Sequence, residues 1–351
     1  MQTLLKRIDL NNIDMNIIDE ASLILKEGNL VAFPTETVYG LGANALDADA
    51  SKKIYEAKGR PSDNPLIVHV ADREQMIPLV KEIPKKAELL MDAFWPGPMT
   101  LIFNKSSIVP YGTTGGLDTV AIRMPNHKIA LKLIEYSGIP IAAPSANTSG
   151  RPSPTTAKHV MDDMKGRISM VIDGGEVGIG IESTIVDVTD DIPMILRPGY
   201  ITKTMLEDVV GTVTIDKAIL GPLTSDAHPK APGMKYKHYA PKADFRMFEG
   251  DTSKVAEHIN AIAKEYLDKG LKVGIIASNE TKNRYLYGDV VSVGSRSDEI
   301  TISQNLYKVL RDFDDKKVDY ILGETFENEE LGQAIMNRLL KAAGYQVEYV
   351  V

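Results

Sequence analysis

Several stretches of this chain set lysine or arginine among glycine, proline and small hydroxyl residues. KGRPSDNP at 58–65 holds Lys58, Arg60 and Asn64 in a loop stiffened by two prolines. VAIRMP places Arg123 inside an apolar strand pattern, and ILRPG places Arg197 at a strand end. PSANTSGRPSP carries Ser145, Asn147, Arg151 and Ser153, while PTETVYGLGANA and GGEVGIGIEST add glycines and hydroxyls. Cations beside small residues that expose backbone N–H groups are the chemistry of anion binding. Each stretch alone also has an ordinary reading. KGRPSDNP fits a solvated turn, Arg123 an exposed strand face, and SANTSGRPSP a capped turn. His69 of LIVHV fits a satisfied core histidine, and Thr35 and Thr37 fit turn hydroxyls. Their number within one half of the chain favours a site for a phosphate-rich ligand. Neither GxGxxG nor GxxxxGK[ST] occurs to hold it.

The elements that must position these residues are legible in outline. LVAF (30–33), LIVHV (66–70), MTLIF (99–103), VAIRM (120–124), PIAAP (140–144), SMVID (169–173), TIVDV (184–188) and PMILR (193–197) read as strands. DASKKIYEAK (49–58) reads as a helix capped by Asp49 and ended by Gly59, with further helices at 84–94 and 127–137. PTTAKHVMDDM (154–164) reads as a helix with Ser153 as N-cap and Pro154 at its first position. The irregular spacing predicts an α/β domain on a mixed sheet over 1–211. Residues 212–241 read as a linker, whose end, PGMKYKHYAP, is too aromatic and basic for a passive tether and is expected to pack near the site. From 242 to 351, strands DFRMF, LKVGIIAS, DVVSVGS and VDYILG alternate with long helical patterns, which predicts a small Rossmann-like, doubly wound parallel sheet.

The 351 residues suffice for two domains, each with its own core. A net charge of −8 argues against broad non-specific nucleic-acid binding. There is no cysteine, and the six histidines show no HExxH spacing, so a protein-held zinc is not expected. The sequence contains neither a membrane-length apolar run nor a signal-peptide pattern, so the expected location is the cytoplasm.

In order, PTETVYGLGANA, KGRPSDNPLIVHV, WPGPMTL, VAIRMP, PSANTSGRPSP, IESTIVD and ILRPG resemble the YrdC/YciO family. With PGMKYKHYAP, the whole chain is similar to the family's two-domain members, the threonylcarbamoyl-AMP synthases. The KxR and SxN pairs, Lys58/Arg60 and Ser145/Asn147, are diagnostic of the family. The resemblance implies a strongly twisted mixed sheet with a concave basic face. It also implies a nucleotidyltransferase that makes L-threonylcarbamoyladenylate and pyrophosphate from L-threonine, bicarbonate and ATP. Mg2+ would be held through the ATP phosphates without dedicated protein ligands. The product would pass to a separate tRNA threonylcarbamoyl transferase acting on adenosine 37 of tRNAs that read ANN codons.

The same resemblance assigns residues. Lys58 and Arg60 take the catalytic role of neutralising phosphate charge. Asn64, Thr119, Ser145, Asn147, Ser153 and Arg197 join Arg60 at the nucleotide, with Tyr236 and His238 of the linker closing over it. Thr37, His69, Arg123, Ala143 and Ser183 hold threonine. Two other classes remain open. One is a non-catalytic module that binds RNA or ribosomes through the basic face; weak RNA binding is compatible with either reading. The other is a carbamoyl-adenylate-forming maturation enzyme, against which the lack of cysteine counts.

Overall fold

A computed structural model describes residues 1–219, 238–327 and 329–351. The chain divides into two compact units. One is built on Met1–Ser149 and the chain from Ser153; the other is built on Gly150–Pro152 and the C-terminal segment ending at Val351.

The first unit is a mixed sheet. Its strands are β1 (Leu4–Arg7), β2 (Val31–Phe33), β3 (Gly40–Asn44), β4 (Ile67–His69), β5 (Met99–Asn104), β6 (Thr119–Arg123), β7 (Ile141–Ala142), β8 (Met170–Asp173), β9 (Thr184–Asp187), β10 (Met194–Arg197) and β11 (Thr214–Ile215). They are ordered β1-β8-β2-β3-β7-β4-β6-β5-β9-β10-β11. Both faces are buried. Ala32 of β2 packs in one apolar cluster, while its neighbours Val31 and Phe33 pack in another, as the two-residue alternation of a strand requires.

Three local expectations are corrected. The helix Ala48–Lys58 is capped by Asp47, whose carboxylate accepts from the Asp49 and Ala50 N–H groups. Asp49, the expected cap, is the second residue of the helix, within its first turn. The helix after SANTSGRPSP begins later, at Ala157, with Thr156 as cap; Ser153 is engaged elsewhere. PTETVYGLGANA, read as a loop, contains β3, which pairs antiparallel with β2. Its glycines hid it. A Cβ at Gly42 would stand 2.8 Å from the Phe33 ring and 2.9 Å from Ile141, so glycine is what lets Phe33 pack across the strand. Within the expected linker, Thr214–Ile215 pair parallel to β10, and Lys235, Tyr236 and Lys237 lie outside the described residues.

The second unit carries β12 (Asp244–Gly250), β13 (Val273–Ala277), β14 (Asp289–Ser292), β15 (Tyr320–Glu324) and β16 (Val347–Val350). They form a sheet in the order β14-β13-β15-β12-β16, and every pair is parallel. The doubly wound expectation holds, with one edge strand, β16, unanticipated because three of its four residues are exposed. The unit also includes Gly150–Pro152. Arg151 Nη2 lies 3.1 Å from the Asp314 carboxylate, Arg311 donates to the Pro152 carbonyl at 2.6 Å, and the Ala240 N–H donates to the Gly150 carbonyl at 2.8 Å. Arg151, counted above among the phosphate-loop cations, is thus paired with a carboxylate.

Candidate active site

Sheet register builds the centre of the site. His69 pairs with Arg123 across β4 and β6, Arg123 with Thr100 across β6 and β5, Thr100 with Ile185 across β5 and β9, and Ile185 with Arg197 across β9 and β10. One row of the sheet therefore aligns His69, Arg123, Thr100 and Arg197, with neighbouring strands roughly 4.8 Å apart. His69, Arg123 and Arg197 are the last residues of their strands, all at one edge of the sheet. Thr119 is the first residue of β6, four positions along the strand from Arg123.

Arg123 is buried, 4% exposed. It donates from Nη1 to Thr37 Oγ1 at 2.9 Å and from Nε to the Gly97 carbonyl at 3.3 Å. Its Nη2 lies 2.7 Å from the Glu36 carboxylate. The angles of that ion pair do not make a hydrogen bond, so Nη2 and both Glu36 oxygens lack a hydrogen-bonding partner, as does His127 Nδ1. Burial lowers the His127 pKa while the Glu36 charge pulls it upward. Buried polar atoms left unpaired in this way mark where a polar ligand belongs. Glu36 escaped the sequence reading. The signal available was a carboxylate between two threonines in a stretch otherwise read for hydroxyls and glycines.

His69 is pushed down to about 3, first by burial and then by the Arg123 charge, so it is neutral near pH 7. Its Nδ1 lies 3.2 Å from the Ile67 carbonyl. A carbonyl can only accept, so a proton on Nδ1 completes that contact, and the Ile141 backbone also hydrogen-bonds the ring. Ser183 lies between Thr100 Oγ1, at 2.8 Å, and Arg197, which donates from Nη2 to its hydroxyl at 3.2 Å and from Nε to its carbonyl at 3.1 Å. Gly199 permits this approach: a Cβ there would meet the Thr184 N at 2.5 Å and the Glu182 carbonyl at 2.8 Å. The Ser153 hydroxyl donates to the buried Glu182 carboxylate.

The two signature loops form one physical unit. Gly59, in the left-handed conformation with φ 62°, ends the helix Ala48–Lys58 and leaves Lys58 as its last residue. Lys58 is 1% exposed. Its ammonium donates to the Ser145 carbonyl, to the Asn147 carbonyl at 2.6 Å and to Asn147 Oδ1 at 3.4 Å. Three donors are all that an ammonium has. The Ser145 hydroxyl donates to the same Asn147 Oδ1. Arg60 closes its own loop, donating to the Asn64 carbonyl at 3.3 Å and the Pro65 carbonyl at 3.0 Å. Asn64 is buried with its Oδ1 unpaired. Ala143 is buried at the end of β7, its N–H donating to the Ile67 carbonyl. The structure thus gathers Thr37, His69, Arg123, Ser183 and Arg197 in one cluster and ties Lys58 to Ser145 and Asn147. His238 belongs to the second unit, its ring centroid 5.5 Å from that of Tyr239, and Tyr236 lies outside the described residues.

A family model described as telomere recombination matches residues 23–199, and one described as the threonylcarbamoyl-AMP synthase C-terminal domain matches residues 201–344. Together with the mixed sheet, the parallel second sheet and the paired KxR and SxN loops, they define a two-domain α/β protein of the Sua5–YciO–YrdC class. The chain is 53% identical over 93% of its length to a threonylcarbamoyl-AMP synthase of Pyrococcus abyssi, covering 94% of that protein. It is 52% identical over 94% of its length to that of Bacillus subtilis, covering 94% of it. A crystal structure of P. abyssi Sua5 complexed with L-threonine superposes with a TM-score of 0.93 at 50% identity, covering 99% of this chain and 100% of that one. The chain belongs to the threonylcarbamoyl-AMP synthase family, and it is an enzyme. No helix among the described residues is long and apolar enough to cross a membrane.

Proposed function

We propose that this site joins L-threonine, bicarbonate and ATP into L-threonylcarbamoyladenylate and pyrophosphate, the adenylate then serving a tRNA threonylcarbamoyl transferase. The observation that carries the reading is the Lys58 clamp. It ties the KxR loop directly to the SxN loop. The threonine complex of the P. abyssi relative supports the choice of amino acid.

The chemistry needs no protein nucleophile. The threonine amine adds to the carbon of bicarbonate, with loss of water, and gives a carbamate. A carbamate oxygen then attacks the α-phosphorus as the bond to pyrophosphate breaks. The protein's work is to position three reactants and hold their negative charge. The Arg123 fork takes the threonine carboxylate, for which Glu36 gives way. Neutral His69, with Thr37, Ser183 and Ala143, closes around the amino acid. Arg60, Asn64 and Arg197 face the nucleotide with Thr119, Ser145, Asn147 and Ser153. Lys58 orders the SxN loop and lends its buried charge.

Mg2+ fits as an ion carried by ATP. The gathered side chains are mostly cations, hydroxyls and amides, and the two buried carboxylates, Glu36 and Glu182, lie against Arg123 and Ser153. Bound to the phosphates, it supplies further charge neutralisation. The test is pyrophosphate release by the purified chain. Release that requires both threonine and bicarbonate is expected; equal release with threonine omitted overturns the reading.

A further inference from the structure

The second unit carries a cavity that this chemistry does not use. β12 and β15 are neighbours, with Phe248 paired to Glu324. The chain leaving β12 runs through the helix Thr252–Asp268 to β13, on the far side of β15. The chain leaving β15 runs through the helix Glu330–Ala342 to β16, on the far side of β12. The two connections depart in opposite directions. With right-handed crossovers they fall on opposite faces and leave a crevice above the carboxyl ends of that strand pair, the usual ligand position in open parallel sheets. A cavity of about 360 Å3 lies at this place, a size typical of small-molecule sites.

Its lining narrows the ligand. Arg296 is held in place: Nη2 donates to the Thr325 carbonyl at 2.9 Å and lies 3.2 Å from the Glu324 carboxylate. Its guanidinium packs 4.9 Å from the Phe326 ring centroid. Its Nε is buried, while the side chain as a whole is 30% exposed and lines the cavity. Glu324 is itself committed, accepting from the Ser278 N–H at 2.6 Å and the Thr281 hydroxyl at 2.5 Å. The start of the helix Thr252–Asp268 is closed to phosphate, because the Asp251 carboxylate already accepts from the Ser253 and Lys254 N–H groups. Two exposed carboxylates, Glu249 and Glu327, also line the cavity, and buried Phe248 and Phe326 form apolar walls. The cavity therefore offers a guanidinium, exposed anions and an aromatic surface.

We propose that this crevice binds a free α-amino acid: the carboxylate on Arg296, the ammonium toward Glu249 and Glu327, and an apolar side chain against Phe248 and Phe326. The site is separate from the threonine position of the first unit and stands whether or not that reading holds.

The experiment uses the full chain with L-phenylalanine and L-leucine as probes, followed by saturation-transfer NMR and titration calorimetry. Phenethylamine, which lacks the carboxylate, and 3-phenylpropionate, which lacks the ammonium, are the controls. Binding of at least one amino acid is expected, with each control at least tenfold weaker. Arg296→Gln and Glu327→Gln are each expected to weaken binding at least tenfold while threonine-dependent pyrophosphate release stays unchanged. Glu327 is exposed, so its variant keeps the test open if Arg296→Gln unfolds. The proposal is overturned if neither amino acid binds at millimolar concentration, if a control binds as well as its parent, or if Glu327→Gln binds as tightly as the parent chain.

Discussion

Arg123 holds its Nη2 against the Glu36 carboxylate. Glu36→Gln removes that charge and leaves a buried guanidinium uncompensated, which costs about 3 kcal/mol when one partner of such a pair is lost. Threonine brings a carboxylate back to Arg123. The thermal shift on adding threonine is therefore expected to be larger in Glu36→Gln than in the parent, and an equal shift in differential scanning calorimetry counts against a carboxylate at Arg123. Arg60→Ala removes, from a partly exposed loop, a charge that the proposed function assigns to the phosphates. Turnover is expected to fall by about 30- to 1000-fold, on the order of 2–4 kcal/mol, with the melting temperature nearly kept. Near-parental turnover in a folded variant would return Arg60 to a surface turn. His69 sets a pH dependence. Its folded pKa, about 3, lies below the unfolded value, so below about pH 6.5 the unfolded chain binds a proton that the folded chain refuses. Stability is expected to fall as the pH drops from about 6.5 toward 3, by up to roughly 1.4 kcal/mol per pH unit from this residue. Denaturant titrations at pH 7 and 5 should show a smaller loss for His69→Gln than for the parent.

At the level of elements, Gly199 is a tightly constrained joint at the site. A Cβ there collides with backbone atoms of Thr184 and Glu182, so Gly199→Ala must move the segment that carries Arg197. A stability loss of about 1–3 kcal/mol is expected, together with a raised KM for ATP; an unchanged KM would separate Arg197 from the nucleotide. Strand positions were legible wherever apolar residues ran together, as in VAIRM and TIVDV. The sequence hid β3 because Gly40 and Gly42 make a strand resemble a turn, and β16 because its exposed residues lack the alternation of a half-buried strand. It misplaced the cap of the helix Ala157–Met164 because Ser and Pro at 153 and 154 imitate a helix start. The Ser153 hydroxyl instead meets Glu182, 29 residues away, a contact that local spacing cannot reveal. The loop residues of the site were nameable by resemblance. The alignment of His69, Arg123, Thr100 and Arg197 in one row spanning five strands rests on sheet order, which has no local signature.

On the scale of the molecule, the boundary between the two compact units is crossed more than once. The chain leaves the first unit after Ser149 and rejoins it at Ser153. The intervening residues are held by Arg311, Asp314 and Ala240. A fragment ending at Ile219 keeps β11 and loses all three partners. Hydrogen exchange across 145–153 is expected to be faster in that fragment than in the full chain, with pyrophosphate release reduced. Equal exchange and equal turnover would make the excursion through 150–152 incidental. That excursion also sets a schedule for the newborn chain. Arg151 leaves the ribosome 163 residues before its partner Asp314, a lag of roughly 8–30 s at the usual speed of protein synthesis. A nascent chain stalled before Asp314 would carry a first unit whose 145–153 loop still lacks this anchor, so full activity would arrive only when translation is nearly finished.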